Sequence, residues 1–411
     1  MKAMLNVDLA FRKLGHLVRP VDGTERIAID AAIGRITAKH VNAPIDLPPF
    51  DASAMDGYAV DATGLDHADE KRFDVIGESL AGRPSASSLS PGDTIRVFTG
   101  AAMPEGANAV VLQEDAVRQG ATMITAPPVH HDQHVRHRGH DVRQGAELCC
   151  RGTRLSHFHL AWFAACGIEE VTVSRRIRVG VFSTGDELVE RGRALGPGQV
   201  YDSNRFAITS LLREKAVETF DLGCIADDPQ VIANSLEKAC KNTDLLVTSG
   251  GVSVGDADYV KEAVDRIGRI EFWKIALKPG KPLAVGRVGP ALFFGLPGNP
   301  VSAIVTYLLF VAPTIDRLGG HEPTPPLTLT ATVHARVRHS LGRREYLRGT
   351  LRSSDGRLVV TPTGDQGSNR LATFAGANCL MVVDEDKKDI EDGESVDVIL
   401  LPDEGAHLMH S

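Results

Sequence analysis

The segment Thr248–Tyr259 reads Thr-Ser-Gly-Gly-Val-Ser-Val-Gly-Asp-Ala-Asp-Tyr and follows the apolar run Leu245-Leu-Val directly. Glycines at 250, 251 and 255 let backbone approach a ligand, and Ser249 and Ser253 add hydroxyl donors. In an open parallel sheet, ligands gather beyond the carboxyl ends of strands and against helix N-termini. No Gly-Lys-Ser/Thr follows, so the loop is not a P-loop, and it lacks the GxGxxG spacing of dinucleotide loops. A mere strand-to-helix turn needs neither this length nor two acids.

Two more loops belong to the same grammar. Ser183-Thr-Gly-Asp-Glu-Leu188 offers hydroxyls, a glycine and two carboxylates after the strand Ile177–Phe182. Leu296-Pro-Gly-Asn-Pro-Val-Ser302 leads into an apolar helix, with Asn299 at a capping position and Pro300 in the first turn. That last motif suits a structural role as well as a contact role. Lys274, Lys278 and Lys281 lie close together in Trp273–Pro282. Such a cluster suits phosphate or a tetrahedral oxyanion, although a solvated charged loop has the same composition. Earlier, Pro48–Val60 and Phe98–Val110 supply Asp56, a carboxylate suited to a hard cation, and Thr99-Gly100, donors for an oxyanion.

Those loops need scaffolds. From Ile177, buried strands alternate with helices (Ile177–Phe182, Asn204–Lys215, Leu245–Thr248, Tyr259–Ile267, Pro300–Leu318), which predicts a parallel sheet covered on both faces. Before it, Val7–Ile33 reads as helix and turn, Arg35–Val41 as a strand, and Ala43–Phe50 is broken by three prolines. Short alternating runs over Tyr58–Thr125 predict a small β domain. Leu155–Cys166 reads as a helix with Leu155, Phe158, Ala161, Trp162 and Ala165 on one face. After Pro323-Thr-Pro-Pro326, strands over Leu327–Arg336, Tyr346–Leu351, Leu358–Thr361 and Val396–Leu401 predict a small barrel or sandwich.

Composition narrows the function. With 411 residues, several domains are expected. A net charge of −8 and only 5% aromatic residues disfavour nucleic-acid binding, and an anionic substrate would need a local cationic pocket. Met1–Leu17 lacks a signal-peptide core, and no run approaches the ~20 apolar residues of a membrane span. A cytoplasmic protein without membrane contact is therefore expected. The six cysteines form no CxxC pair and read as idle thiols. Five histidines crowd His130–His140, but the spacing fits no zinc pattern, and Arg136 and Arg138 would repel a cation. We read a solvent-facing basic loop and assign no site there.

PPFDASAMDGYA, TGAAMPEGANAVV, STGDEL, YDSN, SGGVSVGDADY, WKIALKPGKP and GLPGNPVSA occur in that order. In these motifs the chain resembles the MoeA/gephyrin E-domain family from about Val7 to about Leu401. The resemblance implies an α/β multidomain chain with a central parallel, MogA-like molybdopterin-binding domain. It implies an elongated discontinuous domain I (1–44 and 140–175), an inserted small β domain II (45–139), the α/β domain III (176–322) and a C-terminal β barrel, domain IV (323–411). It further implies a homodimer whose active sites are shared between subunits. The family's functional positions fall on Asp56, Thr99, Asp141, Glu187, Asp227, Asp258, Lys274 and Lys278. Ser249, Gly250, Gly251, Ser253, Gly255, Asp258, Pro297 and Pro300 would contact substrate. Asp56, Glu187 and Asp227 would hold Mg²⁺. His140 stands where a glutamate is expected before Asp141, which puts an assisting carboxylate there in doubt.

The implied reaction inserts molybdate into adenylylated molybdopterin, hydrolysing the anhydride and releasing AMP, with contact to the upstream adenylyltransferase. Rivals are that adenylyltransferase itself, which needs little beyond the α/β unit, and a gephyrin-like scaffold, which would need a fused module or long linker. Molybdate and tungstate are nearly isosteric, and the sequence does not separate them.

Overall fold

A computed structural model describes residues 4–65, 67, 70–125, 128–252 and 259–402, without the Trp273 side chain. Ser253, Gly255 and Asp258 fall outside the described residues. The chain forms two compact units, Arg26–Val173 and the remainder.

In the larger unit, helix α1 (Val7–Leu17) precedes a six-stranded sheet of β1 (Ile177–Thr184), β2 (Val217–Ile225), β3 (Leu245–Ser249), β4 (Gly268–Lys274), β5 (Pro282–Val288) and β6 (Ala291–Leu296). The order is β2-β1-β3-β6-β5-β4. β2, β1, β3 and β6 pair in parallel as expected, whereas β5 runs against them and pairs antiparallel with both β6 and the edge strand β4. The reason is local: β5 and β6 are joined by the tight turn at Gly289-Pro290, which permits only an antiparallel pair. Strand β3 is buried at every position, as a sheet covered on both faces requires. Helices α2 (Ser203–Arg213), α3 (Pro229–Ala239) and α4 (Tyr259–Ile267) flank the sheet. Asp202 caps α2 through the Arg205 amide, and Asp228 caps α3 through the amides of Gln230 and Val231.

Pro300–Leu318 is continuously helical, with a π-helical stretch at Tyr307–Val311. Among the described residues it is the one helix long and apolar enough to cross a membrane, but 67% of its apolar window is buried inside the protein. It is a core helix, sharing one hydrophobic cluster with α1 and one sheet face.

The C-terminal strands β7 (Thr328–Val333), β8 (Arg344–Ser354), β9 (Arg357–Pro362), β10 (Cys379–Val383) and β11 (Ser395–Leu400) close into a barrel, because β8 pairs with both β9 and β10. Its own core includes Val333, Leu351, Val360, Met381 and Val398. Leu277-Lys278 joins β8 as a short parallel strand, in register with Arg344 and Glu345.

In the smaller unit, six strands form a sheet in the order Ala109–Leu112, Gly57–Val60, Asp93–Val97, Lys71–Ser79, Thr122–Thr125, Ala116–Gln119. Around Arg35–Val41 only isolated bridges and the pair Val41–Asn42 form. The helix His157–Ala165 is capped by Ser156, but its face differs from the expected one. Phe158 is 87% exposed, while Phe163 and Cys166 are buried. An almost uniformly apolar helix carries no polar stripe to mark its outside.

At the sheet end opposite the strand-end loops, Asp244 takes a two-point ion pair from Arg175 (2.7 and 2.8 Å) and the Arg178 amide (2.8 Å). Burial raises the Asp244 carboxyl, but these bonds outweigh it and hold the group below the ordinary carboxylate range. A lowered carboxyl contributes stability above its unfolded value, and that contribution disappears as pH falls. Asp244→Ala is expected to cost about 3 kcal/mol at pH 7. In thermal unfolding the gap to wild type should narrow below about pH 4; a gap independent of pH would contradict this account.

Candidate functional site

The carboxyl ends of β1, β2, β3 and β6 open into a cavity of about 640 Å³. Thr184 ends β1 and Gly185 and Glu187 follow it; after β2 comes Asp227, after β3 Gly250 and Gly251, and after β6 Pro297, Gly298 and Asn299. The β3 loop must be glycine. Gly250 has φ +93°, and a Cβ there would lie 2.6 Å from the Thr184 carbonyl oxygen. At Gly251 (φ +66°) a Cβ would lie 2.3 Å from a Val260 methyl.

Asn204, opening α2, ties these loops together. Its amide nitrogen donates to Ser249 Oγ (2.8 Å) and to the Gly298 carbonyl (2.7 Å). Ser183 donates to Asp202 (2.5 Å), fixing the start of the same helix to β1. Ser249 is thus buried and bonded within the protein, with Pro297 O also in reach (3.4 Å). Asn299 occupies the expected capping position, but its side chain does not cap. It donates instead to Ser368 Oγ at 3.0 Å.

One part of the cavity is acidic. Asp228 commits its carboxylate to capping α3, whereas Asp227 Oδ1 is buried without a hydrogen-bond partner. Burial, then the charges of Asp186 and Glu187, raise the Asp227 carboxyl above its ordinary value. This combination fits a divalent cation. No group of three His, Cys, Asp or Glu side chains poised to hold a metal exists among the described residues. Magnesium, however, commonly takes one or two carboxylates and completes its shell with water and substrate phosphate.

Another part is basic. Lys278, Lys281 and Arg343 line the cavity together with Gln366, Gly367 and Ser368 of the barrel. Lys278 Nζ pairs with Glu345 at 2.9 and 3.0 Å, and Glu345 is 3% exposed on its side chain. His339, wholly buried, lies behind, with its ring nitrogens 2.9 and 3.0 Å from the carbonyls of Lys387 and Arg343. Lys274 ends β4 opposite Pro282 and is not among the lining residues, and neither is Pro300. The barrel residues carried no signal in the sequence beyond the dipeptide Arg343-Arg344, since they reach the cavity only through the tertiary fold.

The smaller unit brings together two other expected residues. Thr99 donates its amide and its hydroxyl to Asp56 Oδ1, both at 2.8 Å. The amide bond first, then the hydroxyl, holds Asp56 below the ordinary carboxylate range, so it is an anion at neutral pH. Asp141 Oδ2 accepts from Trp162 Nε1 at 3.1 Å. The histidine-rich segment is mostly exposed as expected, and carboxylates lie beside it: the His137 ring is 3.4 Å from Asp51 and 3.0 Å from Asp132. All six cysteines are free, and burial first pushes Cys149 up to about 11.

Sequence profiles described as the MoeA N-terminal region (domain I and II), a probable molybdopterin binding domain, and the MoeA C-terminal region (domain IV) match residues 5–167, 180–317 and 330–401. The chain is 37% identical to a Haemophilus influenzae protein named molybdopterin molybdenumtransferase, over 96% of this chain and 98% of that one. The chain belongs to the MoeA family. A Bacillus subtilis protein of the same name is 30% identical over 97% of this chain and 94% of its own length. A crystal structure of the molybdopterin biosynthesis moeA protein from Pyrococcus horikoshii OT3 has a TM-score of 0.85 and 27% identity, covering 97% of this chain and all of that one. A second structure from that organism has a TM-score of 0.79 at 31% identity, over 97% of this chain and 99% of that one.

The raised Asp227 carboxyl has a measurable sign. The folded state binds its proton more tightly than the unfolded state, so a penalty grows as pH rises above about 3.9 and is full at neutral pH. In chelator, Asp227→Asn should therefore melt above wild type at pH 7 and equal it near about pH 3, while losing activity. A variant that melts lower than wild type at pH 7 would show that the carboxylate is not strained.

Proposed function

We propose that the chain is a molybdopterin molybdenumtransferase, which inserts molybdate into adenylylated molybdopterin, hydrolyses the anhydride and releases AMP. One observation carries this reading: a single strand-end cavity holds lysines and an arginine for an oxyanion beside Glu187 and Asp227. The near full-length match to relatives of that name adds support, and it disfavours both the adenylyltransferase and the scaffold.

In the reaction, water adds across the anhydride, splitting it into AMP and the pterin phosphate. The dithiolene sulfurs bond to molybdenum, and a molybdate oxygen leaves as water with the two thiol protons; no electron is transferred. Lys278, Lys281 and Arg343 hold the tetrahedral dianion. Gly250 and Gly251 admit the pterin nucleotide close to backbone. Magnesium held by Glu187 and Asp227 would offset charge on the anhydride phosphates. Lys274, Asp258, Ser253, Gly255 and Asp141 keep their family roles in this reading.

The proposal extends to four domains with the boundaries given above and to a homodimer. In that dimer, Asp56 and Thr99 of one subunit complete the site of the other, with Asp56 as a further magnesium ligand. Contact with the adenylyltransferase that supplies the substrate, and a cytoplasmic location, follow from the same reading.

Lysine variants test the cavity. Lys281 is exposed and joined to no carboxylate among the described salt bridges, so Lys281→Ala should raise half-saturating molybdate for AMP release about ten-fold with little change in Tm. Lys278→Ala should raise it as well but also lower Tm, because it strands buried Glu345; adding Glu345→Gln should restore much of the Tm. Unaltered molybdate dependence in both lysine variants would sink the assignment.

Subunit exchange tests the dimer. Asp56→Ala and Asp227→Ala proteins should each be inactive, and a mixed population should regain part of wild-type turnover. No recovery in verified mixed dimers would place both residues in one chain's site.

A further inference from the structure

Arg348, on barrel strand β8, heads the large side chains that are wholly buried, at 0% exposure. No carboxylate bonds to it among the described residues; burial lowers its affinity for the proton. Its guanidinium donates to backbone instead: Nη1 to Gln366 O (3.3 Å), and Nη2 to Asp365 O (3.3 Å) and Gly367 O (3.1 Å). Nε donates to Thr373 Oγ1 (3.0 Å). The loop is pinned again through Gln366, whose side chain accepts from the Arg348 amide (2.9 Å) and donates to the Arg348 carbonyl (3.1 Å).

A buried cation is costly, and a barrel core would accept methionine or leucine at this position without that cost. What an apolar residue cannot do is gather three consecutive carbonyls. In an extended strand, successive carbonyls point to alternate sides; here all three turn inward onto one fork. The opposite face of the loop is thereby directed outward, and Gln366, Gly367 and Ser368 are the residues it presents to the cavity. On that side Ser368 accepts from Asn299 Nδ2 through Oγ and from the Val301 amide (3.1 Å) through its carbonyl.

We propose that Arg348 is a positioning residue of the substrate site: its buried guanidinium sets the loop Asp365–Ser368 as the barrel wall of the cavity. It touches no substrate and acts only through that loop. The inference rests on the reading of this cavity as the molybdate and pterin site.

The consequence is a population effect. If the loop without its fork holds the competent form about one-tenth of the time, apparent affinity falls about ten-fold while the saturated rate is kept. Full-length Arg348→Met should then raise the KM for molybdate about ten-fold and keep kcat within about three-fold. Amide exchange over residues 363–370 should accelerate, with the rest of the barrel unaffected. Arg348→Lys keeps the charge without the planar fork and should fall between the two.

If Arg348→Met does not fold, Arg348→Lys and Thr373→Val, which removes the acceptor of Arg348 Nε and lies outside the cavity lining, carry the same test. Accelerated loop exchange with unchanged KM overturns the proposal, as does a loss of kcat at unchanged KM. The lysine variants keep the two ideas apart. If Lys281→Ala shifts molybdate dependence and the Arg348 variants do not, the cavity reading stands and this proposal fails. If neither shifts it, the cavity reading fails first.

Discussion

The site depends on one seam. Leu277-Lys278 leaves the α/β sheet and pairs with β8 in parallel register, placing Lys278 opposite Glu345. The backbone ladder aligns the two elements, and the ion pair with a carboxylate almost cut off from water secures that alignment. Without the seam, the strand-end loops would form an open shelf, as ligand sites in α/β sheets often do. With it, the barrel supplies a wall, and Arg343 and the loop at Ser368 line the same cleft as the glycine loops.

Within that space, charge is arranged rather than abundant. The chain is acidic overall, yet Lys278, Lys281 and Arg343 all reach the cavity. Burial and the charges of Asp186 and Glu187 hold the Asp227 carboxyl above its ordinary value, so a cation bound beside it would relieve that cost. Opposite charges near one another but separately supported suit a reaction in which an anhydride is cut and an oxyanion captured, because each developing charge meets a group already in place. Asp56 has the reverse character: two bonds from Thr99 keep it comfortably ionised.

Much of this was legible in the sequence where function imposes local constraint. Gly250 and Gly251 announce themselves because no other residue fits, and the parallel strands stand out because burial on both faces leaves unbroken apolar runs. Asp56 and Thr99, each read from its own motif, are far apart in sequence, and the bond between them was not legible there. Other features were hidden for physical reasons. Helix His157–Ala165 is apolar all round, so its buried face is chosen by packing and not by pattern. The antiparallel edge depends on a turn whose strands read as ordinary apolar segments. Glu345, Arg348 and Gln366 look like routine strand and turn residues, since their roles exist only once the barrel has closed. Asn299 carries a capping signal but serves another bond, an instance of tertiary contact overriding local preference.

Asn204 gives the floor of the cavity a shared fate. Its single amide nitrogen has two protons, one given to Ser249 at the end of β3 and the other to Gly298 beyond β6. Neither loop can therefore drift without disturbing the other's anchor, although Ser249 and Gly298 lie 49 residues apart along the chain. Aspartate at this position would keep the shape and lose both donors. The costs of Asn204→Ala and Ser249→Ala should accordingly not add, because both remove the same bond. The strand-end loops, which read as separate motifs, hang from one side chain.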